Sequence, residues 1–175
     1  MLDALIKRGR RRALFVPNET TDDVALGRSA LERMLPHRDP FLLLDGVDKV
    51  DLEAGAIVGR RRIAADDPVF AGHFPGDPVY PGVLLLEMVG QLGICLQHLL
   101  NSGKTSVDPG ETPQQLRLLK VQHALFQGAV RPGDALTLIA KSVENSDYVS
   151  VCAGQAMLGN DVCALAVFEV IMLGD

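Results

Sequence analysis

The segment GVLLLEMVGQLGICLQHLL, from Gly82 to Leu100, is apolar nearly all round at a helical spacing. Pro81 stands before it, where a helix start tolerates a residue without an N–H. Asn101 and Gly103 follow as stop signals. The pattern predicts one long helix, buried on every side. Around it the periodicity changes. LRLLKVQHALF, GDALTLIAKSV, YVSVCAGQAML and DVCALAVFEVIML read as four strands, the last two joined by the hairpin turn GND. Upstream, FLLLDGVDKVDLEAGAIVGRRRIA reads as two strands interrupted between Asp51 and Gly55, and SALERMLP as a short helix stopped by Pro36. Residues 64 to 81 form a loop punctuated by Pro68, Gly72, Pro75, Gly76, Pro78 and Pro81. Consecutive strands with one central helix predict an α+β fold, an antiparallel sheet wrapped around one long central helix.

The same apolar segment has the length of a membrane span, roughly 20 residues. It also carries Glu87, Gln91, Gln97 and His98 and lacks strongly positive flanks. A carboxylate at the bilayer centre costs about 3 kcal/mol, so a buried core helix is the expectation and no membrane span is assigned. Ahead of the helices, VPNETTDD reads as a linker. The expected organisation is a basic N-terminal extension and linker over residues 1–28 and one domain over 29–175. Lys7, Arg8, Arg10, Arg11 and Arg12 crowd that extension. Only ALFV separates them from Pro17, too short a run for a secretory core. A solvated arm is the simplest expectation, with an organelle address or a partner-docking arm as the alternatives.

Composition narrows the function classes. A net charge of −5, with no Trp and only two Tyr, argues against a nucleic-acid surface or a base-stacking platform. Cys95, Cys152 and Cys163 are odd in number and far apart, which fits a reduced cytoplasmic setting. Neither the cysteines nor His37, His73, His98 and His123 show metal-ligand spacing, so no metal is expected.

The candidate chemistry lies in GHFPGDPVYPGVLLLEMVGQ, residues 72 to 91. His73 sits in a turn stiffened by proline. Glu87 falls among Leu84, Leu85, Leu86, Met88 and Val89, where desolvation would favour the protonated carboxyl. Gly82 opens the helix, with a backbone N–H at the positive end of the dipole. An imidazole base, an acidic carboxyl and an oxyanion donor suit removal of a proton α to a carbonyl with loss of a β-hydroxyl. Gln91, four residues after Glu87 on one helix face, either orients it or makes a core hydrogen bond.

LPHRDPFLLLD, then GHFPGDPVYPGVLLLEMVGQLG, then the F-x-x-x-V-x-PGD motif from Phe126 to Asp134 resemble the 3-hydroxyacyl-(acyl-carrier-protein) dehydratases of the FabZ type. The resemblance runs from about Leu31 to Met172. It implies a hot-dog fold, with His73 as catalytic base, Glu87 as its acidic partner and the Gly82 N–H on the thioester carbonyl. It also implies a substrate carried on the phosphopantetheine of an acyl carrier protein, without a further cofactor. Members form homodimers, in some cases trimers of dimers, whose sites combine histidine from one subunit with glutamate from the other. Gly46 and Gly128-Ala129 depart from the usual pattern. Arg60, Arg61, Arg62 and Lys120 are candidate docking cations, although a solvated strand face is the simpler reading of the arginine run. A thioesterase on the same fold and a non-catalytic acyl-binding subunit are the alternative functions.

Overall fold

The computed structural model describes residues 2–146 and 148–172. The elements are α1 (Leu2–Gly9), β1 (Asp22–Leu26), α2 (Arg28–Met34), β2 (Gly46–Asp51), β3 (Ala56–Arg62), α3 (Gly82–Ser102), β4 (Leu116–Phe126), β5 (Ala135–Asn145), β6 (Val149–Leu158) and β7 (Asp161–Met172). The last expected strand ran one residue further. Its end, with the end of the expected domain at 175, lies outside the described residues, as does residue 147.

All seven strands pair antiparallel in one sheet of order β1-β2-β3-β5-β6-β7-β4. The sheet wraps α3, so the expected α+β arrangement and its hot-dog form are what the chain adopts. Gly103, at φ 65°, ends α3 in the left-handed conformation, its N–H donating to the Leu99 carbonyl.

Strand alternation sorts the side chains into two cores. On the inner face, Leu136, Leu138, Ala140, Ala156, Ala164 and Ala166 meet Leu85, Met88, Val89, Leu92 and Leu96 of α3. Burying each large aliphatic side chain contributes about 1.5–3 kcal/mol. Two glycines set how closely the helix approaches. A Cβ at Gly154 would lie 2.7 Å from Val89 Cβ, and one at Gly59 would lie 2.9 Å from Leu92 Cδ1. On the outer face, Ile139, Val151, Ala153, Met157, Leu165 and Val167 form a second core with Leu14 and Phe15.

Two expectations are corrected here. The segment read as a solvated arm and linker is folded against the sheet. Leu2, Leu5 and Ile6 of α1 pack on the outer core. The wholly buried Gln155 accepts from Leu14 N–H (2.7 Å) and donates to the Gly9 and Arg12 carbonyls (2.9 Å for Arg12). Within the expected linker, β1 pairs with β2. The outer sheet face is apolar and needs a cover, and the apolar residues of α1 with Leu14 and Phe15 supply it. The second correction concerns α3, the one membrane-length apolar helix among the described residues. It is buried by the sheet on one side, but its other side is open. Val83 is 67% exposed, and Leu86, Gly90 and Ile94 are only half-buried.

Candidate active site

His73 is held by its loop rather than by the sheet. Its backbone N–H donates to Val69 O (3.1 Å), and its carbonyl accepts from Val79 N–H (3.0 Å). Gly76, at φ 81°, makes the turn between them. Tyr80 N–H bonds Val130 O (2.7 Å), and Arg131 pairs with Asp77 (2.8 Å), anchoring the loop to the segment before β5. The imidazole stacks on Phe74 at 4.0 Å between ring centroids. His73 Nδ1 lies 2.7 Å from Val79 O. A carbonyl only accepts, so Nδ1 carries the proton and Nε2 keeps its lone pair free in the neutral ring. The His73–Phe74 peptide bond is cis.

Gly82 begins α3, and no side chain caps that helix start. The first N–H groups of a helix have no partner inside it. The Phe126 ring lies over this glycine so closely that a Cβ there would sit 2.7 Å from Phe126 Cδ1. Any larger residue there would have to displace that ring.

Glu87 projects from the open side of α3. Its side chain is 34% exposed in the single chain, so the expected full burial among leucines is not what one subunit provides. Of the leucines flanking it in sequence, Leu85 is buried in the inner core, Leu84 is half-buried, and Leu86 lies half-buried on the same open side as Glu87. Gln91 Nε2 donates to Glu87 Oε1 (2.9 Å) and to Phe41 O (2.9 Å), while Leu43 N–H donates to Gln91 Oε1 (2.9 Å). Gln91 thus meets the Glu87 carboxyl and also ties the 36–43 loop to the helix. That loop carries His37, whose Nε2 stands 3.4 Å from Glu87 Oε1. His37 was missed as a site residue. The LPHRDPF motif was its signal, but nothing in that motif alone says that the loop folds back over α3.

A cavity of ≈ 500 Å³ runs along the open face of α3 toward β4, β6 and β7, lined by His37, Glu87, Gly90, Gln91, Ile94 and Phe168 among others. His73 does not line it. One subunit thus joins Glu87, Gln91 and His37, but leaves His73 and Gly82 outside that cavity. Cys152 also lines the cavity. Burial pushes its thiol up to about 12, so it is not a nucleophile at neutral pH. Among the described residues no three His, Cys, Asp or Glu side chains are gathered as metal ligands.

Of the candidate docking arginines, Arg60 pairs with Asp48 and Arg61 with Asp45 (3.1 Å). The Arg62 N–H also donates to Asp45 (2.6 Å). The charges of Arg60 and Arg61 are thus answered within the chain, whereas at Arg62 it is the backbone N–H, not the guanidinium, that meets Asp45.

Comparison with known proteins gives the chain its family. The chain is 36% identical to the 3-hydroxyacyl-(acyl-carrier-protein) dehydratase FabZ of Chlamydia trachomatis serovar L2 over 140 residues, 79% of this chain and 87% of that one. It is 35% identical to the enzyme of the same name from Xanthomonas campestris over 144 residues, 82% of this chain and 89% of that one. Among solved structures, the dehydratase heterocomplex ApeI:P from Xenorhabdus doucetiae superposes with a TM-score of 0.61 at 18% identity, covering 83% of this chain and 91% of that one, a likeness of fold. The FabA-like domain matches residues 35–167, a span that holds every site residue described above, and the chain belongs to the FabA-like family.

Proposed function

We propose that this chain eliminates water from a 3-hydroxyacyl thioester carried on acyl carrier protein, giving the trans-2-enoyl thioester of fatty-acid or related lipid and polyketide synthesis. His73 Nε2 takes the C2 proton. The Gly82 N–H receives the carbonyl oxygen as enolate charge develops. Glu87, oriented by Gln91 and flanked by His37, donates a proton to the departing C3 hydroxyl, and water leaves. The phosphopantetheine arm belongs to the substrate, and no further cofactor enters. The observation that carries this reading is the Nδ1–H bond of His73 to the Val79 carbonyl, which leaves Nε2 free as a base.

The working unit in this reading is a homodimer. β4 is an edge strand of 11 residues, paired only with β7, and Leu118 and Leu119 on it are 60% and 56% exposed. Long apolar edges are association surfaces. A second copy added at β4 would cover the open face of α3, complete the burial of Glu87 and bring His73 of the partner subunit to it. A trimer of such dimers is a further level of the same assembly. The three cysteines are unpaired, as a cytoplasmic setting requires.

Complementation tests both parts. His73→Ala and Glu87→Gln are each expected to lose about a hundredfold or more in enoyl formation. Co-refolded together, they should recover about a quarter of wild-type turnover, because half of the dimers are mixed and each mixed dimer keeps one intact site. No recovery would place both groups in one subunit, and full activity of either variant would remove that residue from the mechanism. Release of free thiol instead of enoyl product would identify a thioesterase.

A further inference from the structure

Residues 7–12, KRGRRR, hold five cations and no acid in a chain whose net charge is −5. All five side chains are exposed. Among the described residues none of the five joins an ion pair. Among the described residues, Arg8 alone of the five makes a side-chain hydrogen bond, to Leu14 O (2.9 Å). Of the twelve other Lys and Arg side chains, half are paired with an acid. Arg28, Lys49, Arg60, Arg61, Lys104 and Arg131 each meet a carboxylate.

The run is nevertheless held firmly. Gln155, wholly buried on β6, uses its amide on the backbone of residues 9, 12 and 14. Gln127 donates to Arg10 O (2.9 Å). A basic tail left in water would need neither clamp. The fold fixes this backbone from below and turns its cations outward, which lowers the entropy lost on binding a partner.

The position also carries information. Gln127 follows Phe126, whose ring covers Gly82 at the start of α3. The basic surface is therefore joined, through one residue, to the place where the thioester carbonyl is read. It lies outside residues 35–167, the span that the FabA-like domain matches.

We propose that the clamped run at residues 7–12 is the docking surface for the acidic carrier protein that delivers the acyl thioester. This rests on the dehydratase reading and adds the contact face to it. Opposite charge would steer the carrier's acidic surface onto the arginines and speed encounter, an effect that salt screens. The pantetheine arm would then enter beside Phe126 and Gly82.

The test compares one acyl group on two carriers. Wild type and the triple variant Arg10→Ser, Arg11→Ser, Arg12→Ser are assayed with a 3-hydroxyoctanoyl group on acyl carrier protein and on N-acetylcysteamine. The expected result is a KM for the protein-bound substrate raised about tenfold or more, with the N-acetylcysteamine reaction unchanged. Added NaCl should raise the wild-type KM for the protein-bound substrate and barely affect the variant. An unchanged KM overturns the proposal. So does loss of binding to phosphatidylserine vesicles with the carrier KM intact, which would make the run a membrane contact. If wild type turns over neither substrate, the dehydratase reading fails by itself. Docking is then judged by the anisotropy of labelled holo-carrier protein, where equal affinity of wild type and variant overturns it.

Discussion

Gly154 and Gln155 are neighbours on β6, yet they serve opposite faces of the sheet. Gly154 faces inward and lets α3 approach until Val89 would touch any added Cβ at 2.7 Å. Gln155 faces outward and clasps the backbone of the N-terminal segment. The inner face is closed by shape, with alanines and glycines opposite large aliphatic side chains. The outer face is closed by a cover of modest apolar area fixed with a few specific hydrogen bonds. The inner closure positions Glu87 and Gly82. The outer closure positions the arginines. One strand thus supports the helix that carries the candidate site and the basic surface on the opposite face.

Breaking the inner face has the larger expected effect. Gly154→Val drives a branched side chain into Val89, and overpacking of this kind costs about 1–3 kcal/mol. Thermal unfolding should shift down by roughly 2–4 °C per kcal/mol. Turnover of the N-acetylcysteamine substrate should fall with it, since the displaced helix carries Glu87. Retained turnover with an unchanged melting temperature would show that the helix has room to spare.

The outer face should fail more gently. Gln155→Leu leaves the Leu14 N–H and the Gly9 and Arg12 carbonyls without their partner. Stranding buried polar groups costs about 1–3 kcal/mol, and the strap can lower that cost by lifting into water. Trypsin cleavage in the 7–12 run should accelerate, while small-thioester turnover stays near wild type. Unchanged trypsin resistance with lost turnover would show that the two faces are not separable.

The smallest effect concerns Asp51, which is buried and fastens the start of β1 to the β2–β3 turn. It accepts from Ala54 N–H (2.7 Å), Thr20 Oγ1 (2.8 Å) and Thr21 Oγ1 (3.1 Å). These bonds, the Ala54 N–H foremost, hold its carboxyl below the usual carboxylate value. A depressed acid stabilises the fold above its unfolded pKa, about 4, and that contribution is lost as pH falls through the lower folded value. Asp51→Asn should therefore be less stable than wild type at neutral pH, and the gap should close in urea titrations taken below about pH 4. A gap constant with pH would mean that packing, not charge, is what the substitution removes.

The elements with strong periodicity were legible from the chain. α3 and β4 to β7 stand close to where their patterns put them, because long apolar runs between turn signals leave few other ways to bury that surface. β1 was not legible. DDVAL is short, with two acids in five residues, and it becomes a strand only because the edge of β2 offers it partners. The site divides in the same way. The proline-rich turn marked His73, and the i, i+4 spacing marked Gln91 as a partner for Glu87. His37 could be seen to matter only once Gln91 had drawn the 36–43 loop over the helix, since that contact joins residues 50 apart in sequence.

Local chemistry was enough to settle that this chain wraps a sheet round one apolar helix, and to single out an imidazole, a carboxyl and a helix-start glycine. Those outcomes follow from side-chain period and backbone stiffness, which act over a few residues. Tertiary structure alone decided that Glu87 sits on an open flank rather than in a sealed core. It alone decided that the arginine run is clamped rather than loose. Both depend on which distant surface comes to lie opposite, and no local pattern encodes that.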